Sequence, residues 1–163
     1  MKKLILVCGP AGIGKSTFCR KYEADHPDEE VKIIAADEVR MAMTGGYDKF
    51  PPNHNMMVVY ERMIELAEQY FSEGGDNLTI MMDTTMLYDE RRSYFLRNIR
   101  GYERKELFLL KVKDVKTCLE RNHLRKQEKW VPEEVIIDMY NCYKDPAPEV
   151  AKQFDEVKTF YVD

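Results

Sequence analysis

The stretch that decides the fold of this 163-residue chain reads LILVCGPAGIGKST and spans residues 4–17. Its first five residues are apolar, as in a buried β-strand, and the rest carry three glycines followed by Lys15 and Ser16. Because glycine has no Cβ, the backbone after the strand can curl tightly and turn its N–H groups inward. Such a concave set of amides suits a polyphosphate, and the helix that begins near Lys15 adds the positive end of its dipole.

The pattern G-x-x-x-x-G-K-S therefore predicts a phosphate-binding loop of the P-loop type. A glycine-rich turn without function is the alternative, but the strand before it and the helical segment after it favour a nucleotide site. Lys15 is expected to reach the β- and γ-phosphates of ATP, and the Ser16 hydroxyl is expected to ligate Mg²⁺. The predicted nucleotide-contacting residues are Gly9, Gly12, Ile13, Gly14, Lys15, Ser16 and Thr17.

Composition indicates an ordinary globular chain, with 44% hydrophobic and 33% charged residues. The length suits one domain over residues 1–163. No apolar run approaches the roughly 20 residues of a membrane span, and Gly9 and Pro10 cut the N-terminal apolar run too short for a signal peptide. We therefore expect a cytoplasmic protein without a membrane partner.

Charge and cysteine content exclude some further classes. The net charge of −4 argues against a general nucleic-acid coat protein, although basic residues cluster between Arg91 and Lys129 and leave a local basic groove open. Four cysteines are scattered without a C-x-x-C pair, so we expect reduced packing thiols and no metal site built from them.

Strands and helices alternate along the chain. This alternation predicts a parallel sheet of five strands with helices on both sides, a three-layer α/β/α sandwich. A loop over residues 44–55 is long enough to cover a substrate. The predicted strands cover about 3–8, 31–36, 77–82, 106–112 and 157–162, and the predicted helices cover about 15–24, 38–43, 55–72, 89–100, a segment after Asp114 and a segment after Pro132.

Two carboxylates stand where predicted strands end, and open α/β sheets bind ligands beyond those ends. Asp37 is a candidate catalytic residue, although it could instead cap the following helix. Asp83 is a candidate substrate-binding residue with the same structural alternative. Arg40 could point toward an anionic substrate or could be a solvated surface arginine.

A basic segment at about 121–131 is predicted to be a lid. Arg121 and Arg125 are four residues apart and would share one helix face if that helix continued. The alternative is a solvated basic helix end, where positive charge also suits the dipole. Trp130 is expected to be a packing anchor rather than a base-stacking residue.

Four blocks of sequence resemble one branch of the P-loop kinases. The chain is similar to the 5′-hydroxyl polynucleotide kinase domain of phage and bacterial end-healing enzymes, and to archaeal and eukaryotic seryl-tRNA(Sec) kinase. The resemblance covers residues 3–143, with Thr85 in place of the asparagine of the family's D-T-N motif. The blocks are the phosphate loop, Asp37-Glu38-Val39-Arg40, Asp83-Thr84 with Glu90-Arg91-Arg92, and Arg121-Asn122-His123-Leu124-Arg125 with Val131-Pro132-Glu133-Glu134-Val135.

The resemblance implies an adenylate-kinase-like sheet with strand order 2-3-1-4-5. It also implies that Asp37 is the general base, and that Lys15 and Arg125 are catalytic. Arg121 and Arg125 would close over the donor phosphates, while Arg40 and Asp83 would position the acceptor. Arg91 and Arg92 are adjacent, so at most one of them is expected to face the site.

The implied reaction is transfer of the γ-phosphate of ATP to a nucleic-acid 5′-hydroxyl. Two alternatives stay open: a kinase of a small hydroxyl-bearing metabolite or nucleoside on the same frame, and a nucleotide-dependent switch that transfers nothing. The sequence leaves the oligomeric state and the choice between RNA and DNA undetermined.

Overall fold

Five parallel strands form one sheet at the centre of the molecule. The computed structural model describes residues 1–45 and 56–163. The strand order is β2-β3-β1-β4-β5, so the predicted order and the predicted α/β class are both confirmed. The strands are β1 Lys3–Cys8, β2 Glu30–Ala35, β3 Leu78–Asp83, β4 Arg104–Lys111 and β5 Glu156–Tyr161.

Strand β1 lies in the middle of the sheet, and its register aligns the strand ends. Leu6 pairs with Met82 of β3 on one side and with Leu107 of β4 on the other. Because all pairs are parallel, the loops that leave β1, β2 and β3 emerge at the same edge. That edge carries the phosphate loop and both predicted acids.

The helices alternate with the strands along the chain. Asp114 caps the fifth helix as predicted, because its Oδ1 accepts a hydrogen bond from the amide of Lys116 at 2.9 Å. The helices are α1 Lys15–Asp25, α2 Ala36–Thr44, α3 Met56–Glu73, α4 Asp89–Asn98, α5 Val115–Leu124, α6 Glu133–Cys142 and α7 Pro148–Ala151, with a short 3-10 turn at Gln127–Lys129.

Each face of the sheet buries its own apolar core, as period-two alternation along the strands requires. Leu4 and Leu6 lie in the core that the second, third and fourth helices cover. Ile5 and Val7 point the other way and join the core that includes residues of α1, α5 and α6. The predicted three-layer arrangement is thus present, with the phosphate loop between the two helical layers.

Several boundaries differ from the sequence prediction. Helix α2 begins at Ala36, so Asp37 lies in its first turn and does not cap it. Helix α5 ends at Leu124, and α7 is an additional helix that the two nearby prolines had concealed. Of the predicted covering loop, residues 46–55 lie outside the described residues.

The described helices give no sign of a membrane span. Within residues 1–45 and 56–163, no helix combines the length and the apolar character that crossing a bilayer requires.

Candidate active site

The phosphate loop is shaped by close contact with helix α5. Gly12 has φ +81°, and a Cβ built there would lie 2.6 Å from the carbonyl oxygen of Cys118. Gly14 has φ +103° and occupies the N-cap position of α1. The amide of Gly9 donates to the carbonyl of Thr85 at 3.0 Å, which ties the loop to the chain that leaves β3. Only glycine fits at position 12, because the left-handed backbone conformation disfavours a side chain and the Cys118 carbonyl leaves no room for one.

Lys15 folds over the loop that precedes it. Its Nζ donates to the carbonyls of Gly9 at 2.9 Å and of Pro10 at 3.1 Å. Burial lowers the pKa of Lys15 below its usual value, while the nearby carboxylates of Asp83 and Asp37 act in the opposite direction. The ammonium therefore lies in a partly desolvated position, where it attracts an anion more strongly than it would in water.

Ser16 and Asp83 meet beside the loop. The Ser16 hydroxyl donates to Oδ2 of Asp83 at 2.8 Å, and Asp83 is only 6% exposed. Asp83 is the last residue of β3, and the next helix, α4, begins only at Asp89, so Asp83 does not cap a helix. The two oxygens form a hard-ligand pair next to the position of Lys15, which is the chemistry that Mg²⁺ prefers.

Asp37 lies within reach of Arg125, the second arginine of the predicted lid. Oδ2 of Asp37 is 3.4 Å from Nη2 of Arg125. Asp37 is exposed, with 58% of its side-chain surface open, whereas Arg125 is partly covered. Arg40 follows three residues later on α2, so it shares a helix face with Asp37, and it is half-buried.

Arg121 and Arg125, the two arginines of the predicted lid, have different partners. The prediction places both arginines on one helix face if the helix continues, but α5 ends at Leu124 and Arg125 adopts an extended conformation, so that condition is not met. Arg121 donates from Nη1 to the carbonyl of Ile13 at 2.7 Å and from Nη2 to the carbonyl of Val162. It therefore fastens α5 to the phosphate loop and to the chain after β5.

Arg91 and Arg92 point in different directions, as expected of adjacent residues on a helix. Neither makes a described hydrogen bond or ion pair with a predicted site residue. The guanidinium of Arg91 stacks on the rings of Tyr60 and Tyr94 at 4.3 and 5.2 Å. Arg92 is fully buried, where it donates to the carbonyl of Met86 at 3.0 Å, and it also donates to Lys144 and Asp89.

Arg92 supports the backbone behind the phosphate loop. Met86 has φ +39°, an uncommon conformation for a residue other than glycine, and it follows Thr85, which accepts from the loop amide of Gly9. Sequence reasoning gave Arg92 no role, since its partners are mostly backbone carbonyls that no residue pattern reveals.

Trp130 packs against neighbouring residues of the 121–131 segment. Its ring meets His123 edge-on at 4.7 Å, and its Nε1 donates to the carbonyl of Arg125 at 2.9 Å. Both of these partners lie within residues 121–131, and 43% of the surface of Trp130 is exposed.

Comparison with known proteins identifies the family. Residues 4–146 match the family AAA_33, described as an AAA domain. The chain belongs to this AAA domain family. The match includes every predicted site residue, from Gly9 of the phosphate loop to Arg125. A comparison with curated protein sequences finds no significant match.

Several solved structures share the fold of this AAA domain at low sequence identity. An unliganded sugar kinase from Janibacter sp. HTCC2649 is 13% identical with a TM-score of 0.65, over 99% of this chain and 86% of that one. A gluconokinase from Sinorhizobium meliloti 1021 is 16% identical with a TM-score of 0.60, over 98% and 82%. Kti12 from Chaetomium thermophilum, solved with ADP-AlF3, is 14% identical with a TM-score of 0.64, over 98% and 89%.

Proposed function

We propose that this protein is an ATP-dependent phosphotransferase that acts on a hydroxyl group. The observation that carries the proposal is the contact between Asp37 and Arg125, beside the loop that holds Lys15. A site that only bound nucleotide would need the loop and a magnesium ligand. An exposed carboxylate on the acceptor side, paired with a lid arginine, adds a group that can accept a proton.

The donor phosphates are held by the loop amides and by Lys15. When nucleotide binds, the ammonium of Lys15 exchanges the carbonyls of Gly9 and Pro10 for phosphate oxygens, which are stronger acceptors because they are charged. Its partial burial strengthens this attraction. The loop residues up to Thr17 contribute backbone donors at the start of α1.

Ser16 and Asp83 fit a magnesium ion. Mg²⁺ is usually bound by one or two protein oxygens together with substrate phosphates and water, so a larger protein cage is not needed. Within residues 1–45 and 56–163, no group of three or more His, Cys, Asp or Glu side chains could hold a metal. When bound, Mg²⁺ neutralises charge that develops on the phosphates. We accordingly propose that Asp83 serves the metal side of the site rather than the acceptor.

Asp37 is the proposed general base. The acceptor oxygen attacks the γ-phosphorus as its proton passes to the Asp37 carboxylate. The new P–O bond forms as the bond to the β,γ-bridging oxygen breaks, and ADP leaves with the electron pair of that bond. A positioned base of this kind supplies roughly 10²- to 10⁴-fold in rate. Arg125 turns from Asp37 to the transferring phosphoryl group as the donor enters.

A nucleic-acid 5′-hydroxyl is the acceptor that we favour. The block from Asp37 to Arg40 resembles that of the polynucleotide kinases, in which the arginine contacts an acceptor phosphate. Arg40 lies on the same helix face as Asp37, three residues further along α2. Arg40 would then hold the 3′-phosphate of the terminal nucleotide, while the 5′-hydroxyl of the same nucleotide faces Asp37.

A small hydroxyl-bearing metabolite is the second candidate. The sugar kinase and the gluconokinase that share this fold are named for small acceptors. The net charge of −4 also disfavours binding to a long polyanion. Arg40 would then bind an anionic group of the metabolite.

Transfer of labelled phosphate distinguishes the candidates. The protein is incubated with γ-labelled ATP and Mg²⁺, and with either a 5′-hydroxyl oligonucleotide, its 5′-phosphorylated match or a panel of sugars, gluconate and nucleosides. Label on the 5′-hydroxyl oligonucleotide alone supports the first candidate, and label on a metabolite alone supports the second. Hydrolysis of ATP that no acceptor changes, with no labelled product, would overturn the proposal in favour of a nucleotide-dependent switch.

A further inference from the structure

The lid segment, defined here as residues 123–131, is closed at its base by one side chain. Asn122 is 1% exposed, and its amide makes two hydrogen bonds to the backbone of Val131. Its Nδ2 donates to the Val131 carbonyl at 2.8 Å, and its Oδ1 accepts from the Val131 amide at 3.0 Å. The Asn122 side chain therefore holds the two ends of the lid segment together, because it bonds both the carbonyl and the amide of Val131.

The same asparagine rests on the phosphate loop. A Cβ built on Gly12 would lie 3.6 Å from the Cβ of Asn122, so the two backbones pass at close range. Arg121, the preceding residue, donates to the carbonyl of Ile13 in that loop. The base of the lid segment is thus fixed to the element that binds the donor phosphates.

From this base, contacts lead to Arg125. Trp130 is the neighbour of Val131 in the chain, and its Nε1 donates to the carbonyl of Arg125 at 2.9 Å. The chain between Arg125 and Trp130 forms a 3-10 turn, in which the amide of Lys129 donates to the carbonyl of Lys126 and the amide of Trp130 to that of Gln127. The guanidinium of Arg125 then reaches Asp37 across the site. The position of Arg125 therefore depends on the hydrogen bonds that Asn122 makes at the base of the lid segment.

We propose that Asn122 is a positioning residue for phosphoryl transfer, which acts by holding Arg125 at the correct distance from the phosphate loop. This inference rests on the proposed function, because Arg125 is assigned there to the transferring phosphoryl group. Without the amide, the nine-residue lid segment gains conformations in which Arg125 points elsewhere. Displacement of a catalytic group by about 1 Å can cost on the order of 10²-fold in rate.

The test is Asn122→Ala, compared with Asn98→Ala as a matched control. Asn98 also bonds a backbone carbonyl, that of Tyr94 at 2.8 Å, but on the exposed surface of α4. We expect Asn122→Ala to lower kcat roughly 10- to 100-fold while the KM for ATP changes much less, and Asn98→Ala to change neither. An unchanged kcat in Asn122→Ala, in a protein that melts like the wild type, overturns the proposal.

A double variant separates positioning from a general effect on folding. If Asn122 acts through Arg125, then Asn122→Ala added to Arg125→Ala lowers kcat no further than Arg125→Ala alone. A further fall of the same factor in the double variant would assign Asn122 to the fold and overturn the proposal. If Asn122→Ala does not melt cooperatively, Asn122→Ser is measured by the same criteria.

A second readout does not depend on kinase activity. The chain has a single tryptophan, Trp130, which lies in the lid segment, so its quenching by acrylamide reports on that segment alone. We expect stronger quenching in Asn122→Ala and none of this increase in Asn98→Ala. If the wild type transfers phosphate to no acceptor, the proposed function fails, yet this quenching still decides whether Asn122 holds the lid. Equal quenching in all three proteins would show that it does not.

Discussion

Nη2 of Arg125 lies 3.4 Å from Oδ2 of Asp37, a contact that joins the C-terminal end of α5 to the first turn of α2. The two residues are 88 positions apart in the chain. Both side chains retain contact with solvent, and such exposed pairs contribute at most about 1 kcal/mol. Breaking the pair therefore costs little free energy. Its importance lies in the position it gives to both groups at the mouth of the site.

Asp37→Asn should lower turnover while leaving ATP binding intact. We expect kcat to fall roughly 10²- to 10⁴-fold, because the amide cannot accept the acceptor's proton. Calorimetry should give an ATP affinity close to that of the wild type, since the loop amides and Lys15 are untouched. Glu38→Gln is the matched control, because Glu38 is an exposed acid in the same helix turn. Equal losses of turnover and ATP affinity would remove Asp37 from the role of base.

Arg125→Ala should slow the transfer step itself. Arginines that stabilise a transferring phosphoryl group are worth on the order of 10³- to 10⁵-fold in rate, so single-turnover kinetics should show a loss of that size. Arg97→Ala serves as control, since Arg97 is an exposed arginine in the last turn of α4. A single-turnover rate equal to that of the wild type would exclude Arg125 from the lid role.

Asp83→Asn should alter the dependence on magnesium. Loss of the carboxylate beside Ser16 is expected to raise the Mg²⁺ concentration for half-maximal transfer by roughly 10- to 100-fold. Asp76→Asn, an exposed acid in the turn before the same strand, should leave it unchanged. If Asp83→Asn instead raised only the KM for the acceptor, Asp83 would belong to the acceptor side, as its sequence context first suggested.

Gly12→Ala should destabilise the protein, whereas Gly75→Ala should not. At Gly12 the left-handed conformation costs an alanine about 1–2 kcal/mol, which corresponds to a Tm lower by roughly 2–8 °C. The clash with the carbonyl of Cys118 adds to that loss. At Gly75 nothing lies within 4 Å of an added Cβ. Thermal melts followed by circular dichroism measure both variants, and equal Tm values would contradict the packing of α5 on the loop.

Of the four cysteines, only Cys142 should react quickly with a thiol reagent in the folded protein. Cys142 is exposed, whereas Cys8, Cys19 and Cys118 are buried. Burial raises the pKa of Cys8 to about 11 and also raises the pKa of Cys19 and of Cys118, so little reactive thiolate forms at neutral pH.

Mass spectrometry after brief alkylation at pH 7.5 tests this cysteine prediction. One modified thiol is expected in buffer and four in denaturant. In Cys142→Ser no rapid modification should remain. Labelling of Cys118 as fast as Cys142 would mean that α5 lifts away from the phosphate loop in solution.

The sequence by itself determined the phosphate loop, the alternation of strands and helices, and the two acids at strand ends. These features depend on neighbours in the chain, where the spacing of glycines and the run of apolar residues act directly on local conformation. The strand order, which the family resemblance implied, is the order that the sheet has. The residues at which helices end were not determined by the sequence, because a helix such as α5 stops where tertiary contacts outweigh local helix propensity.

Only the tertiary structure decided which side chains meet. It put Asp83 against Ser16, gave Arg121 and Arg125 different partners, and joined the Asn122 side chain to the backbone of Val131. Such pairings join segments far apart in sequence, often through backbone carbonyls, which every residue presents alike. No pattern of residue types encodes them, so they appear only when packing brings the strands and helices to their final positions.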